Sequence, residues 1–208
     1  MLKYISLATA ALAIVGSAHA GSMEAPVIAP SPVVAAQGPD WGGFYVGGFA
    51  SFEAGSTFDY YINDVFDTDF TMSSSDVYGG FAGYNIQRGN MVYGAEVAYS
   101  VGTTFLDSFP TYEFDSMLDV KARVGYAAGR ALIFGAAGWS SAPWDNGFDS
   151  NFTMSGLNIG GGIDYLVTDR FFVGAEYLTR FLTGDAGNDI NSYESTVQTV
   201  SVRIGAKF

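Results

Sequence analysis

The sequence predicts an all-β protein: an eight-stranded antiparallel up-and-down transmembrane β-barrel. Three observations carry that reading. The chain from Trp41 onward breaks into eight segments of alternating hydrophobicity, each about ten residues or more, the length a tilted strand needs to cross a bilayer. The connections alternate between tight and long, as they do when short turns lie on one side of a membrane and extended loops on the other. The last strand carries Val200, Val202, Ile204, Ala206 and Phe208 on one face, with Ser201, Arg203, Gly205 and Lys207 on the other. A strand between lipid and a polar lumen tolerates two cations on one face; a strand buried on both faces does not.

The elements follow in order. Residues 1–20 read as a signal peptide: Lys3, a short apolar run from Ile5 to Val15, and an Ala18-His19-Ala20 cleavage site. That run is too short to span a membrane as a helix. Residues 21–40 hold Pro26, Pro30, Pro32 and Pro39 and read as an extended periplasmic linker. Residues 41–208 form the barrel, with strands expected near 43–56, 75–87, 90–102, 115–127, 131–141, 153–166, 171–182 and 195–208. The tight turns fall at 88–89, 128–130 and 168–170, and each contains an arginine. The long loops cover about 57–74, 103–114, 142–152 and 183–194, and Pro110 and Pro143 are assigned to them.

Alternation sets the facing. Phe44, Val46, Phe52, Tyr84, Ile86, Tyr93, Val97, Tyr99, Leu118, Val120, Val124 and Tyr126 are expected to meet lipid. So are Leu157, Ile159, Ile163, Tyr165, Val173, Tyr177 and Phe181. The fifth strand is ambiguous, because both of its faces are small or apolar. The opposite parity collects Glu53, Glu96, Asp119, Asp164 and Glu176 with Lys121, Arg123, Arg180, Arg203 and Lys207. These ten residues are expected to form a neutral lumenal salt network, since an eight-stranded barrel is filled by side chains and buried charges there must pair. Glu96 and Glu176 are the expected partners of the three arginines. Inward Gly47, Gly83, Gly94, Gly125, Gly160 and Gly174 are the positions where a water-filled passage would open.

Composition excludes several functions. The chain has no cysteine, and its one histidine, His19, lies in the signal segment. The rest therefore offers no Ser-His or Cys-His nucleophile pair and lacks the commonest metal ligands. Acids outnumber bases 21 to 9, which argues against a nucleic-acid partner. No cofactor is expected. Inward Asp164 and Glu176 are better read as network members than as paired catalytic carboxylates. The triple glycine at 160–162 lacks the helix and lysine of a phosphate loop.

The outer loops contain acids and no bases. In the first, Phe58, Tyr60 and Ile62 alternate with Asp59 and Tyr61, and Phe66, Thr68 and Phe70 alternate with Asp67 and Asp69. The first hairpin should therefore continue past the membrane as a ribbon. A three-residue turn, Asn63-Asp64-Val65, keeps even-numbered residues facing lipid, whereas a two-residue turn needs a bulge. Asp59 then opposes Asp69 with Asp67 on the same face, a candidate weak cation site. Tyr60, Tyr61, Phe66, Phe105, Phe109, Trp144 and Phe148 are either a binding surface or an interfacial belt.

Three segments resemble known families. The motif Trp41-Gly-Gly-Phe-Tyr-Val-Gly-Gly48 resembles the small surface antigens of alpha-proteobacteria. Phe81-Ala-Gly-Tyr-Asn-Ile-Gln87 with Gly94-Ala-Glu-Val-Ala-Tyr99 is similar to the second hairpin of OmpA-like barrels. The closing Val202-Arg-Ile-Gly-Ala-Lys-Phe208 resembles the C-terminal strand whose last aromatic is the assembly signal. The resemblance implies a Gram-negative outer membrane, with both termini periplasmic and the long loops outside. It implies outer-membrane lipid, lipopolysaccharide and the barrel-assembly machinery as partners, and names no external ligand. The expected role is a non-enzymatic structural protein or surface antigen; a narrow pore for small solutes or ions, and an adhesin using the acidic aromatic loops, are the alternatives.

Overall fold

The computed structural model describes residues 39–62, 65–145, 152–185 and 191–208. The expected signal peptide and nearly all of the linker lie outside them. The strands are β1 (Gly43–Glu53), β2 (Ser56–Ile62), β3 (Val65–Arg88), β4 (Met91–Leu106), β5 (Phe109–Ala128), β6 (Ala131–Asp145), β7 (Phe152–Leu166), β8 (Phe171–Asp185) and β9 (Asn191–Lys207). β1 and β2 are successive halves of one stave: both pair with β3 on one side and β9 on the other. Eight antiparallel staves thus close into a ring, β1 against β9. Closure removes the free edge that would otherwise expose backbone groups to lipid.

The short turns are two-residue hairpins at Gly89-Asn90 and Gly129-Arg130, pairing Arg88 with Met91 and Ala128 with Ala131. Both glycines have φ near +60°, which places glycine where the turn needs it. The third turn is held by the Thr168 hydroxyl, which accepts from the Arg170 and Phe171 amides at 3.2 and 2.9 Å.

The expected lipid face is exposed throughout, from Phe44 and Val46 to Val202 and Ile204. The ambiguous strand, β6, turns Ile133 and Trp139 to lipid and buries Leu132, Phe134 and Ala136. Aromatics fall into two belts. Phe44, Tyr84, Tyr93, Tyr126, Tyr165 and Phe171 lie near the short turns, and Phe52, Tyr78, Tyr99, Trp139, Tyr177 and Phe181 lie at the far level.

The strands run well past the expected spans, and here the facing changes. Inward positions are odd-numbered in β1 (Tyr45, Ser51) and even-numbered in β2 (Ser56, Phe58). The switch occurs at Ala54-Gly55, where Gly55 has φ of +115°. β3 switches between Ser75 and Tyr78, and β5 between Phe114 and Leu118. One inserted residue in each of these three staves moves every later side chain on it to the opposite face. Phe58 and Met72 therefore point inward, correcting the expectation that even-numbered residues of the first outer hairpin face lipid. The hairpin also uses the shorter turn: Ile62 pairs with Val65, and a register shift between Tyr60 and Tyr61 restores Asp59 opposite Asp69. Pro110 and Pro143 lie in β5 and β6, not in loops. Pro143 sits where the β5–β6 ladder is interrupted, so its missing N–H breaks no bond there.

Candidate functional site: a filled lumen

Three layers fill the barrel. Near the short turns an apolar layer is built from Trp41, Tyr45, Phe81, Leu132, Phe134, Leu166 and Phe172. Near the outer ends a second combines Phe58, Met72, Phe114, Trp144, Met154, Leu182 and Val197. Phe58 and Trp144 stack with centroids 4.6 Å apart, and Phe114 meets the same indole edge-on at 4.6 Å. Between them lies an ionic layer.

Glu96 is the hub of that layer. Its carboxylate lies 3.0 Å from Lys121 Nζ, 2.9 Å from Arg123 Nη1 and 2.6 Å from Arg203 Nη2. It also accepts a hydrogen bond from the Tyr45 hydroxyl at 3.0 Å. Arg123 bridges onward to Asp164 at 2.7 Å, and Arg203 Nε stands 3.3 Å from the same carboxylate. Glu176 pairs with both Lys121 and Arg203. A second group sits beside this one. Arg180 grips Asp119 through Nε and Nη2 at 2.9 and 2.7 Å, a bidentate fork. Ser140 donates to Asp119 at 2.5 Å, Asn158 donates to Ser140 at 2.8 Å, and Arg180 donates to Thr199 at 3.0 Å. Two guanidinium groups also lie over aromatic faces: Arg123 is 3.8 Å from the Phe134 centroid, and Arg203 4.0 Å from that of Phe81.

The arrangement departs from the sequence expectation in four ways. Glu53 lies outside the ionic layer; its carboxylate accepts from the Gly55 amide and caps the bulge. Lys207 is half-buried at the opposite end of the barrel, also away from the network. Both occupy strand ends, where parity gives a direction but not a depth. The network among the described residues is thus four acids and four bases: Glu96, Asp119, Asp164 and Glu176 with Lys121, Arg123, Arg180 and Arg203. Arg180 pairs with Asp119 rather than with Glu96 or Glu176. The proposed cation site does not assemble: no group of three carboxylates among the described residues can hold a metal, because the register shift leaves Asp67 without a cross-strand partner. Asp59 and Asp69 still face one another, and Asp59's carboxyl is raised from its ordinary value by partial burial and then by Asp69.

The inward glycines do not leave water-filled space. A methyl group at Gly47 would run into the Phe81 ring, at Gly83 into the Tyr45 ring, and at Gly94 into the Asn85 amide. At Gly125 and Gly160 it would meet Leu132 and Leu178, and at Gly174 the Asp164 carboxylate. Each glycine makes room for a large neighbour. Of the outer aromatics, Trp144 is inside the barrel, Tyr60 stacks on Tyr193 at 5.2 Å, and the Phe66, Phe109 and Phe148 side chains lie outside the described residues. Phe208 is 77% exposed at the barrel's end, its amide donating to the Phe44 carbonyl at 2.8 Å.

A closed ring of eight staves, with an apolar girdle outside and paired charges inside, defines an integral membrane β-barrel. The model of the outer membrane protein beta-barrel domain matches residues 8–208, and the chain belongs to that family. It is 30% identical to the 22 kDa outer membrane protein of Rhizobium leguminosarum bv. viciae, over 79% of this chain and 76% of that one. It is 27% identical to the 31 kDa outer-membrane immunogenic protein of Brucella melitensis biotype 1, over 100% of this chain and 99% of the relative. Among solved structures, OprG of Pseudomonas aeruginosa shares the fold with a TM-score of 0.52 at 12% identity, covering 83% of this chain and 98% of that one. The chain is an integral protein of the Gram-negative outer membrane.

Proposed function

We propose that the protein is a non-conducting, non-enzymatic barrel that anchors and displays an acidic surface. One observation carries this reading: the two apolar layers and the ionic layer between them fill the lumen, and its eight charges are all paired. A pore needs a continuous wet path, and a hydrolase needs an activated nucleophile or paired carboxylates open to substrate. Asp164 and Glu176 instead hold Arg123, Lys121 and Arg203. The outward-projecting staves carry the variable, contacting part, with Asp59, Asp69 and Glu194 on adjacent paired positions. The Brucella relatives are named for immunogenicity, which fits a surface antigen. Outer-membrane lipid, lipopolysaccharide and the assembly machinery, the last reading the strand that ends at Phe208, are the partners this role entails. Antibodies raised against the folded barrel should bind intact cells, and binding should fall when residues 56–72 are replaced by a tight turn. Binding only after permeabilisation would refute surface display.

A further inference from the structure

Among the described residues the ladder is interrupted in several places, and the break between the first stave and β3 leaves four residues unpaired on each side. β1 pairs with β3 down to Ser51–Val77, and β2 resumes at Ser56–Met72. Residues 52–55 and 73–76 thus face each other without ladder pairing. On their other sides both stretches are bonded normally: Phe52 and Glu53 with Val200 and Thr199, and Ser73 and Ser74 with Phe105 and Thr104. An open cleft of about 540 Å³ lies at the gap, lined by Ala50, Ser51, Phe52, Glu53, Ser73, Ser74, Val77 and Tyr78. Ser51 is buried on the lumen side while Phe52 and Tyr78 are 61% and 60% exposed on the lipid side. Neighbouring residues on one strand point to opposite faces, so the cleft reaches from the lipid-side rings of Phe52 and Tyr78 to the lumen-side Ser51.

The floor of the cleft is Ser51, hydrogen-bonded to Ser201 at 2.7 Å; Phe58 and Met72 lie above, and below it the ionic layer leaves a cavity of only about 20 Å³ lined by Glu96, Lys121, Arg180, Ser201 and Arg203. It opens sideways at the outer aromatic belt, between Phe52 and Tyr78. Its lining offers hydroxyls, a carboxylate and unpaired backbone groups, flanked by two exposed rings. Among the described residues, Ser73 and Ser74 make no side-chain hydrogen bond. No lysine or arginine lines it, so it is not built for phosphate.

We propose that this pocket binds the neutral sugar headgroup of an outer-leaflet glycolipid, the hydroxyls meeting Ser73, Ser74 and Glu53 and the ring or its chain packing on Phe52 and Tyr78. Backbone groups facing hydrocarbon must be satisfied, and a hydroxyl-rich headgroup at this level does so. The chain has no cysteine, so Ser74→Cys introduces a unique thiol. In phosphatidylcholine vesicles, maleimide labelling of Ser74→Cys should slow about fivefold when a monoglycosyl diacylglycerol is added at about four times its dissociation constant. Labelling of Thr183→Cys, exposed on β8 two staves from β1, should not change, and Phe52→Ala should weaken the protection. Equal slowing at both positions, no slowing in a barrel shown folded by its gel shift, or equal protection by phosphatidic acid or free glucose would overturn the proposal. The gel shift separates failure of the pocket from failure of the barrel reading.

Discussion

Replacing Glu96 by Gln should be the most damaging isosteric change in the molecule. Glu96 is 1% exposed and its carboxylate serves three cations within 3.0 Å. The substitution keeps the shape and the Tyr45 hydrogen bond, but leaves three acids facing four bases in a water-poor lumen. Unit charges 3.0 Å apart attract by about 5 kcal/mol at an effective dielectric near 20, and much of this offsets desolvation in the intact network. With the carboxylate gone, desolvation of the stranded cations remains, and the net loss should be about 3–5 kcal/mol. Lys121→Met in the same chain restores neutrality at three acids and three bases. The double variant should then be more stable than the sum of the single losses by at least about 1 kcal/mol. Urea unfolding in vesicles, read by gel shift and tryptophan emission, measures all four corners of the cycle. A loss under about 1 kcal/mol for Glu96→Gln would refute the argument, because that is the scale of an exposed ion pair. Strict additivity would refute it too.

Val202→Arg places a charge on the lipid face near mid-membrane, where Val202 is 58% exposed, and should cost about 2–4 kcal/mol in the same urea assay. Thr183→Arg, beyond the outer belt, should cost far less. Phe58→Ala removes the ring stacked on Trp144 and should lose about 3–5 kcal/mol or open the outer layer to protease, read by a red shift in emission. Asp59 has its carboxyl raised in the folded ribbon, so between its unfolded and folded values the folded state holds more protons. The ribbon should therefore resist protease better as pH falls through that interval and worse as pH rises through it, and Asp59→Asn should flatten the profile.

What the sequence made legible was whatever period-two alternation records. Facing could be read on seven of the eight staves within the membrane, because Ile, Val and Tyr on one parity contrast with Gly, Asp and Arg on the other. β6 resisted because Leu132 and Phe134 inside are as apolar as Ile133 and Trp139 outside. The bulges at Ala54-Gly55, 75–78 and 114–118 resisted for a different reason: alternation is intact on both sides of each, and only the phase changes. Phe58 and Phe114, beyond such bulges, thus looked like loop surface, and Trp144 lay past the expected end of its strand. Gly55 was the available signal, a glycine between two alternating runs of opposite phase. Within the lumen, parity named the charged residues but not their partners. Arg180 meets Asp119 rather than Glu176 because strand tilt and stagger set the height of each side chain, and no single strand carries that information.

Single-channel recording in planar bilayers tests the filled lumen most directly. The purified barrel, inserted and shown folded by its gel shift, should give no conductance steps above the bare bilayer. Phe58→Ala with Trp144→Ala should still give none, because the ionic layer and the layer around Phe81, Phe134 and Phe172 remain below. Stable, uniform steps from the unmodified barrel would contradict the closed lumen.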